Sequence, residues 1–335
     1  MKNRFFVSAR RTISLWDIIK ICLAAVLLVY VISKTNFSQI LLLRERFSWG
    51  WFWITFLLFG VMIIVKAMQY YYLLGKRLPY PRILEIVILQ NALMNFVATA
   101  AGIASYLTIL GLEKDIKLGR ATASFVLVKI GDLIAILFLL LFSSLLISPL
   151  PMAAMRIAII ISILVILILV FFFSIIVFRS RFVDFVKKLV RWMKLDQLSI
   201  IRRGLSYLDS MAGYDRRKIF RLITTATILS FIYMGLTMAW GYARLRMFSL
   251  VIGVEVVIFV LSLLQIASWI PVYVLGGLGI SETLSVYLFG IFGANQAELA
   301  AVMISARLVF YLMNAFSLLY LPFETMIRTN KKNRT

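Results

Sequence analysis

Residues 271–282, Pro271-Val-Tyr-Val-Leu-Gly276-Gly277-Leu-Gly279-Ile-Ser-Glu282, set a proline, three glycines and a carboxylate inside a long apolar run. Four further ionisable residues, Lys66, Lys129, Asp132 and Arg307, are embedded in other apolar runs. In hydrocarbon a charge at a helix centre costs ~2.5–3.5 kcal/mol on insertion scales, so such groups mark functional sites by default. Three cations and two carboxylates leave surplus positive charge, and the chemistry that suits it is recognition of an anion, with a phosphate near Lys129 or Arg307. A helix starting near Gly279 would add amide donors and a favourable dipole. The competing structural reading makes Lys129–Asp132, one turn apart on one face, and Arg307–Glu282 internal pairs that only hold helices together. Glu282 is also placed to cap its own helix.

Other polar residues take lesser roles. Asn91 and Asn95 read as partners for backbone groups freed by a break near Thr99 and Gly102. Tyr106 and Gln265 read as cavity liners, and Glu255 as a solvated group near one interface. Lys66 lies ten residues before Lys76, roughly 15 Å deep at helical rise, beyond a lysine's comfortable snorkelling reach.

The elements that must hold these groups follow from composition. The chain has 335 residues, 63% of them hydrophobic, and a mean hydropathy of +0.99. Crossing a core of ~30 Å takes about 20 helical residues, and several runs are that long. Full spans are expected at 15–32, 49–74, 121–147, 154–178, 219–243 and 299–323. The start, with Lys2, Arg4, Arg10 and Arg11 before an apolar run, imitates a signal peptide, but it lacks a small-residue cleavage site and reads as a retained first span. A segment at 36–47 is expected to lie in the interface, ahead of an aromatic belt at Trp49, Trp51 and Trp53.

Two apolar regions break this pattern. The run at 83–112 is flanked on both sides by Lys and Arg, so a single crossing would put one cationic loop outside, while two crossings would be too short. It reads as a hairpin that enters and leaves from the cytoplasm. Region 250–292, carrying the glycine motif, then reads as a second hairpin from the outside if both termini are inside. The expected fold is all-α: one polytopic transmembrane domain over 1–335, with about six full spans and two re-entrant hairpins, in inverted-topology halves as in transporters. Eight ordinary spans is the alternative.

Charge and residue types exclude whole classes of function. Net charge is +22, yet the cations sit in loops and tails, where they orient the protein and meet anionic lipid headgroups rather than nucleic acid. The connector 179–220 is basic, and Phe182, Phe185, Val186, Leu189, Val190 and Met193 give part of it an amphipathic helical face on the inner leaflet. The tail 324–335 is basic as well. There is no histidine, and Cys22 is the only cysteine, so intrachain disulfides, histidine acid/base catalysis and Cys/His metal sites are excluded. No cofactor or metal is expected.

Pro271-x4-Gly276-Gly277-x-Gly279-x2-Glu282, followed by Arg307, resembles the lysylphosphatidylglycerol synthase transmembrane region, also described as a flippase-like domain family. The resemblance extends over most of the chain. In that family an earlier break reads Asn-x3-Pro-x2-Gly-acid-x2-Arg. Here Asn95 and Gly102 match it, while Thr99, Ile103 and Tyr106 replace the proline, acid and arginine. Lys129-x2-Asp132 looks like the family's Arg-x2-Asp pair. The fused aminoacyl-phosphatidylglycerol synthases add a soluble aminoacyltransferase domain to which nothing in this sequence corresponds. The resemblance therefore implies lipid translocation rather than aminoacyl transfer, and other stand-alone members look like partners of glycosyltransferases acting on polyprenyl-phosphate lipids.

The expected function is a flippase-like translocator or binder of lipids with anionic headgroups, either aminoacylated phospholipid or polyprenyl-phosphate-linked lipid. The expected location is the bacterial or archaeal cytoplasmic membrane. The alternatives are a scaffold that recruits a membrane-associated glycosyltransferase through the basic connector, and a headgroup transferase using Asp132 or Glu282 as base. Without histidine or a transferase domain, the chain reads as a non-enzyme.

Overall fold

Helix length decides which segments can cross a bilayer. The structure, a computed structural model, describes residues 45–113, 116, 118–192, 216–269 and 277–321, and the elements within them are all α-helices. Five are long and apolar enough to span: α1 (Trp49–Leu73), α4 (Leu118–Leu146), the first part of α5 (Met152–Trp192), α6 (Arg216–Arg246) and α9 (Gln296–Ser317). The shortest of these, with 22 residues, rises roughly 33 Å. A helix satisfies its own backbone hydrogen bonds, which is the condition for an apolar run to sit in lipid. The first expected span, most of the interfacial segment, the tail, and Pro271 and Gly276 lie outside the described residues.

The remaining helices form two short pairs. The first is α2 (Tyr80–Phe96) with α3 (Thr99–Leu112), and the second is α7 (Val254–Ala267) with α8 (Ile280–Ile291). Helices α3, α7 and α8 have 14, 14 and 12 residues, at most ~21 Å of rise, which does not fit eight ordinary spans.

The pairs open toward opposite ends. At one end Ser48 donates its N–H to the Met247 carbonyl at 2.9 Å, and Arg46 meets Glu298 at 3.0 Å, gathering the start of α1, the end of α6 and the start of α9. Short links from Met247 to α7 and from α8 to α9 put the mouth of the second pair there. Phe259 and Phe292 close that mouth, their rings 5.5 Å apart. The first pair opens at the other end, where Arg82 on α2 bonds Glu113, just past α3, at 2.8 Å.

One boundary differs from expectation. The connector is read from sequence as starting at Arg179, but α5 continues unbroken to Trp192, 41 residues and roughly 60 Å long. Residues 179–192 contain no proline or glycine to stop it. Its final turns therefore extend well beyond one hydrocarbon core.

Candidate functional site

The second helix break is built on backbone that only glycine adopts easily. Gly277 has φ +82° and Gly279 φ +80°, in the left-handed region that costs other residues about 1–2 kcal/mol. The turn brings Glu282 back over the start of α8, where its Oε2 accepts the Gly279 N–H at 2.7 Å. Its Oε1 accepts Nε and Nη2 of Arg307, which reaches across from α9. Both residues are buried. One carboxylate thus caps α8 and ties it to α9, and the Gly279 amide expected to face an anion is already occupied.

A second buried ion pair joins α1 to α4. Lys66 Nζ lies 2.9 Å from Asp132 Oδ2, while Asp132 Oδ1 accepts the Ser230 hydroxyl of α6 at 2.7 Å. Gln69 donates to Ser230 Oγ and to the Ala226 carbonyl. The expected Lys129–Asp132 pair is therefore corrected, since Asp132 turns toward α1 and α6. The Lys129 ammonium instead lies 4.4 Å from the Trp269 ring centroid, a cation–π contact across to the end of α7. The five charges expected to share one cluster are arranged as two separate ion pairs plus Lys129.

The first break carries none of these charges. Gly102 lies where a Cβ would stand 2.0 Å from Met94 Cγ and 2.6 Å from the Gln90 carbonyl, so α3 touches the backbone of α2 there. Asn95, expected to satisfy freed backbone, instead donates to Asn314 Oδ1 on α9 at 2.6 Å. Tyr106 is fully buried, bonded to Ser124 Oγ at 2.8 Å and packed on the Tyr70 ring, so it is not a cavity liner.

Between the two breaks lies a cavity of about 270 Å³. Asn91, Asn95 and Thr99 reach it from the first pair, and Gln265, Ser268, Ser281, Glu282 and Ser285 from the second. Arg307 and Arg244 complete its charged wall. Lys66, Lys129, Asp132 and Gly102 do not line it, although the Lys66 ammonium sits 4.3 Å from the centroid of Tyr233, which does.

Arg244 lies one residue past the span expected at 219–243. It faces the cavity because Tyr233, Thr237, Trp240 and Arg244 recur at intervals of four, three and four, one face of α6. That spacing was the available signal. The Arg244 guanidinium lies over the Trp240 ring at 4.6 Å, and neither Arg244 Nε nor Trp240 Nε1 has a hydrogen-bond partner among the described residues, although both atoms are buried. The charged wall therefore holds two guanidiniums against one carboxylate.

The family model described as Lysylphosphatidylglycerol synthase TM region matches residues 18–317. No curated protein and no solved structure matches the chain.

Proposed function

Because the chain belongs to the lysylphosphatidylglycerol synthase transmembrane-region family, a multi-pass membrane family associated with lipid modification or translocation, we propose that it is a flippase-like translocator or binder of lipids with anionic headgroups. The observation that carries this reading is the shared cavity. Two helix breaks that open toward opposite ends both line it, and non-helical backbone at membrane depth is tolerated where it is buried in protein or borders such a cavity. Broken helices meeting midway are the usual setting for a substrate site in alternating-access proteins. A cavity of about 270 Å³ suits a headgroup, with the acyl or prenyl chains left in the membrane.

The reading is transport rather than catalysis. The two buried carboxylates that could act as a base are both engaged: Asp132 by Lys66 and Ser230, Glu282 by Arg307 and the Gly279 amide. The cationic loops argue for the cytoplasmic membrane with both termini inside.

The test is reconstitution in liposomes containing fluorescent phospholipids and polyprenyl phosphates. Headgroup-dependent movement that is lost in Arg307→Ala and Glu282→Gln is expected. Movement that is absent, or indifferent to both headgroup and substitutions, sinks the proposal.

A further inference from the structure

The charged wall of the cavity discriminates among the lipid classes that the flippase-like reading admits. An aminoacylated headgroup carries an ammonium, which a site within the protein holds best against a carboxylate. Glu282 is the only carboxylate among the described lining residues, and both its oxygens are taken, Oε1 by the Arg307 guanidinium and Oε2 by the Gly279 amide. Segment 270–276, which bridges α7 and α8, contains no Asp or Glu.

The same wall offers a donor group without an acceptor. Arg244 makes no hydrogen bond or ion pair among the described residues, and its Nε is buried. One turn earlier on the same face, the Trp240 indole N–H is buried and unpaired too, while its ring holds the guanidinium from below. Both of these atoms are closed off from the cavity, so what Arg244 presents to it are its terminal guanidinium nitrogens, which have no hydrogen-bond partner among the described residues. A phosphate, anionic and able to accept from two guanidinium nitrogens at once, is the group that fits.

We infer that the cavity selects a phosphate-bearing, ammonium-free lipid headgroup, with Arg244, seated on the Trp240 ring, as its principal phosphate ligand. The inference rests on the lipid-binding reading above and narrows it to anionic lipids, such as phosphatidylglycerol or a polyprenyl phosphate, against aminoacylated ones. Arg307 then serves to neutralise and place Glu282.

The test is native mass spectrometry of the full-length protein in detergent, offered equal amounts of dioleoylphosphatidylglycerol and its lysyl ester. The unesterified lipid is expected to be retained about tenfold better, and R244Q to lose about tenfold in that retention, the effect of one charge-assisted hydrogen-bond partner. R244K, which keeps the charge but not the fork of donors, is expected to lose several-fold, and decides the point if R244Q does not fold. Equal or preferential retention of the lysyl ester overturns the inference while leaving lipid binding intact. So does wild-type retention in a folded R244Q or in R244K. Retention of neither lipid, nor of a polyprenyl phosphate offered in a parallel sample, overturns both readings. Glycerol 3-phosphate binding as tightly as the lipid reassigns the site to a soluble phosphate and overturns the lipid assignment.

Discussion

The two short helical pairs do the same geometric job with different materials. Each includes a helix too short to cross a bilayer and lines the same cavity from the residues beside its break. The α7–α8 pair is held by charge: Glu282 caps α8 and receives Arg307, on a turn that needs Gly277 and Gly279 at positive φ. Toward its tip the α2–α3 pair is held by close packing and neutral hydrogen bonds, Gly102 against α2, Asn95 to Asn314 and Tyr106 to Ser124, while its ion pair, Arg82 with Glu113, stands at the open end. The difference teaches that a re-entrant fold needs its backbone satisfied but does not need buried charge. Charge at one tip is then free to serve recognition.

That contrast can be broken or sharpened by substitution, beginning with the greatest expected loss. Arg307→Ala leaves the buried Glu282 carboxylate without its partner and should destabilise the detergent-solubilised protein by about 3–5 kcal/mol, read as a fall in unfolding temperature. A variant that unfolds like the wild type would show that the pair is not what holds the second tip.

Gly102→Ala should cost about 1–3 kcal/mol, because the added Cβ meets both the flexible Met94 and the rigid Gln90 carbonyl. Hydrogen exchange should rise in α2 and α3 and stay unchanged in α8. Uniformly faster exchange would mean that the two tips unfold together.

Gly279→Ala should cost about 1–2 kcal/mol through its φ of +80°. Its signature is faster amide exchange in the first turn of α8, since the strained turn weakens the Glu282 cap. Exchange there at the wild-type rate would show that an ordinary residue is tolerated at this turn.

The smallest effect belongs to the first pair. Tyr106→Phe removes one hydrogen bond and keeps the ring contact with Tyr70, for a loss of about 1 kcal/mol. Lipid movement in liposomes should be retained. If Tyr106→Phe proves as damaging as Arg307→Ala, the contrast between a charged tip and a packed one collapses.

Much of this architecture was legible in one dimension. Apolar length alone located the five long spans among the described residues, because a helix must be about 20 residues long to cross. Flanking cations and insufficient length located the first hairpin, although nothing local marks its break: Ala98 is extended with no proline or glycine beside it, and Gly102 comes only in the next turn. The glycines of the second break could be read directly, because a demand for positive φ is written in residue type.

Pairing was legible for Arg307 with Glu282 and not elsewhere. Asp132 has a lysine three residues away and another on a different helix, and the structure joins it to the distant Lys66. Arg244 lies at the end of a span yet faces the cavity, and Asn314, one amide in an apolar run, receives Asn95 from another helix. The physical reason is common to all three. A membrane helix is apolar on its lipid face as well as its protein face, so the periodicity that orients a surface helix of a soluble protein is nearly flat here. The sequence by itself determined which segments are apolar and long enough to cross, where glycine breaks the second pair, and which apolar runs carry charges. How each helix is rotated about its axis, and therefore which charge meets which and which donors are left facing the cavity, was decided only when the helices packed.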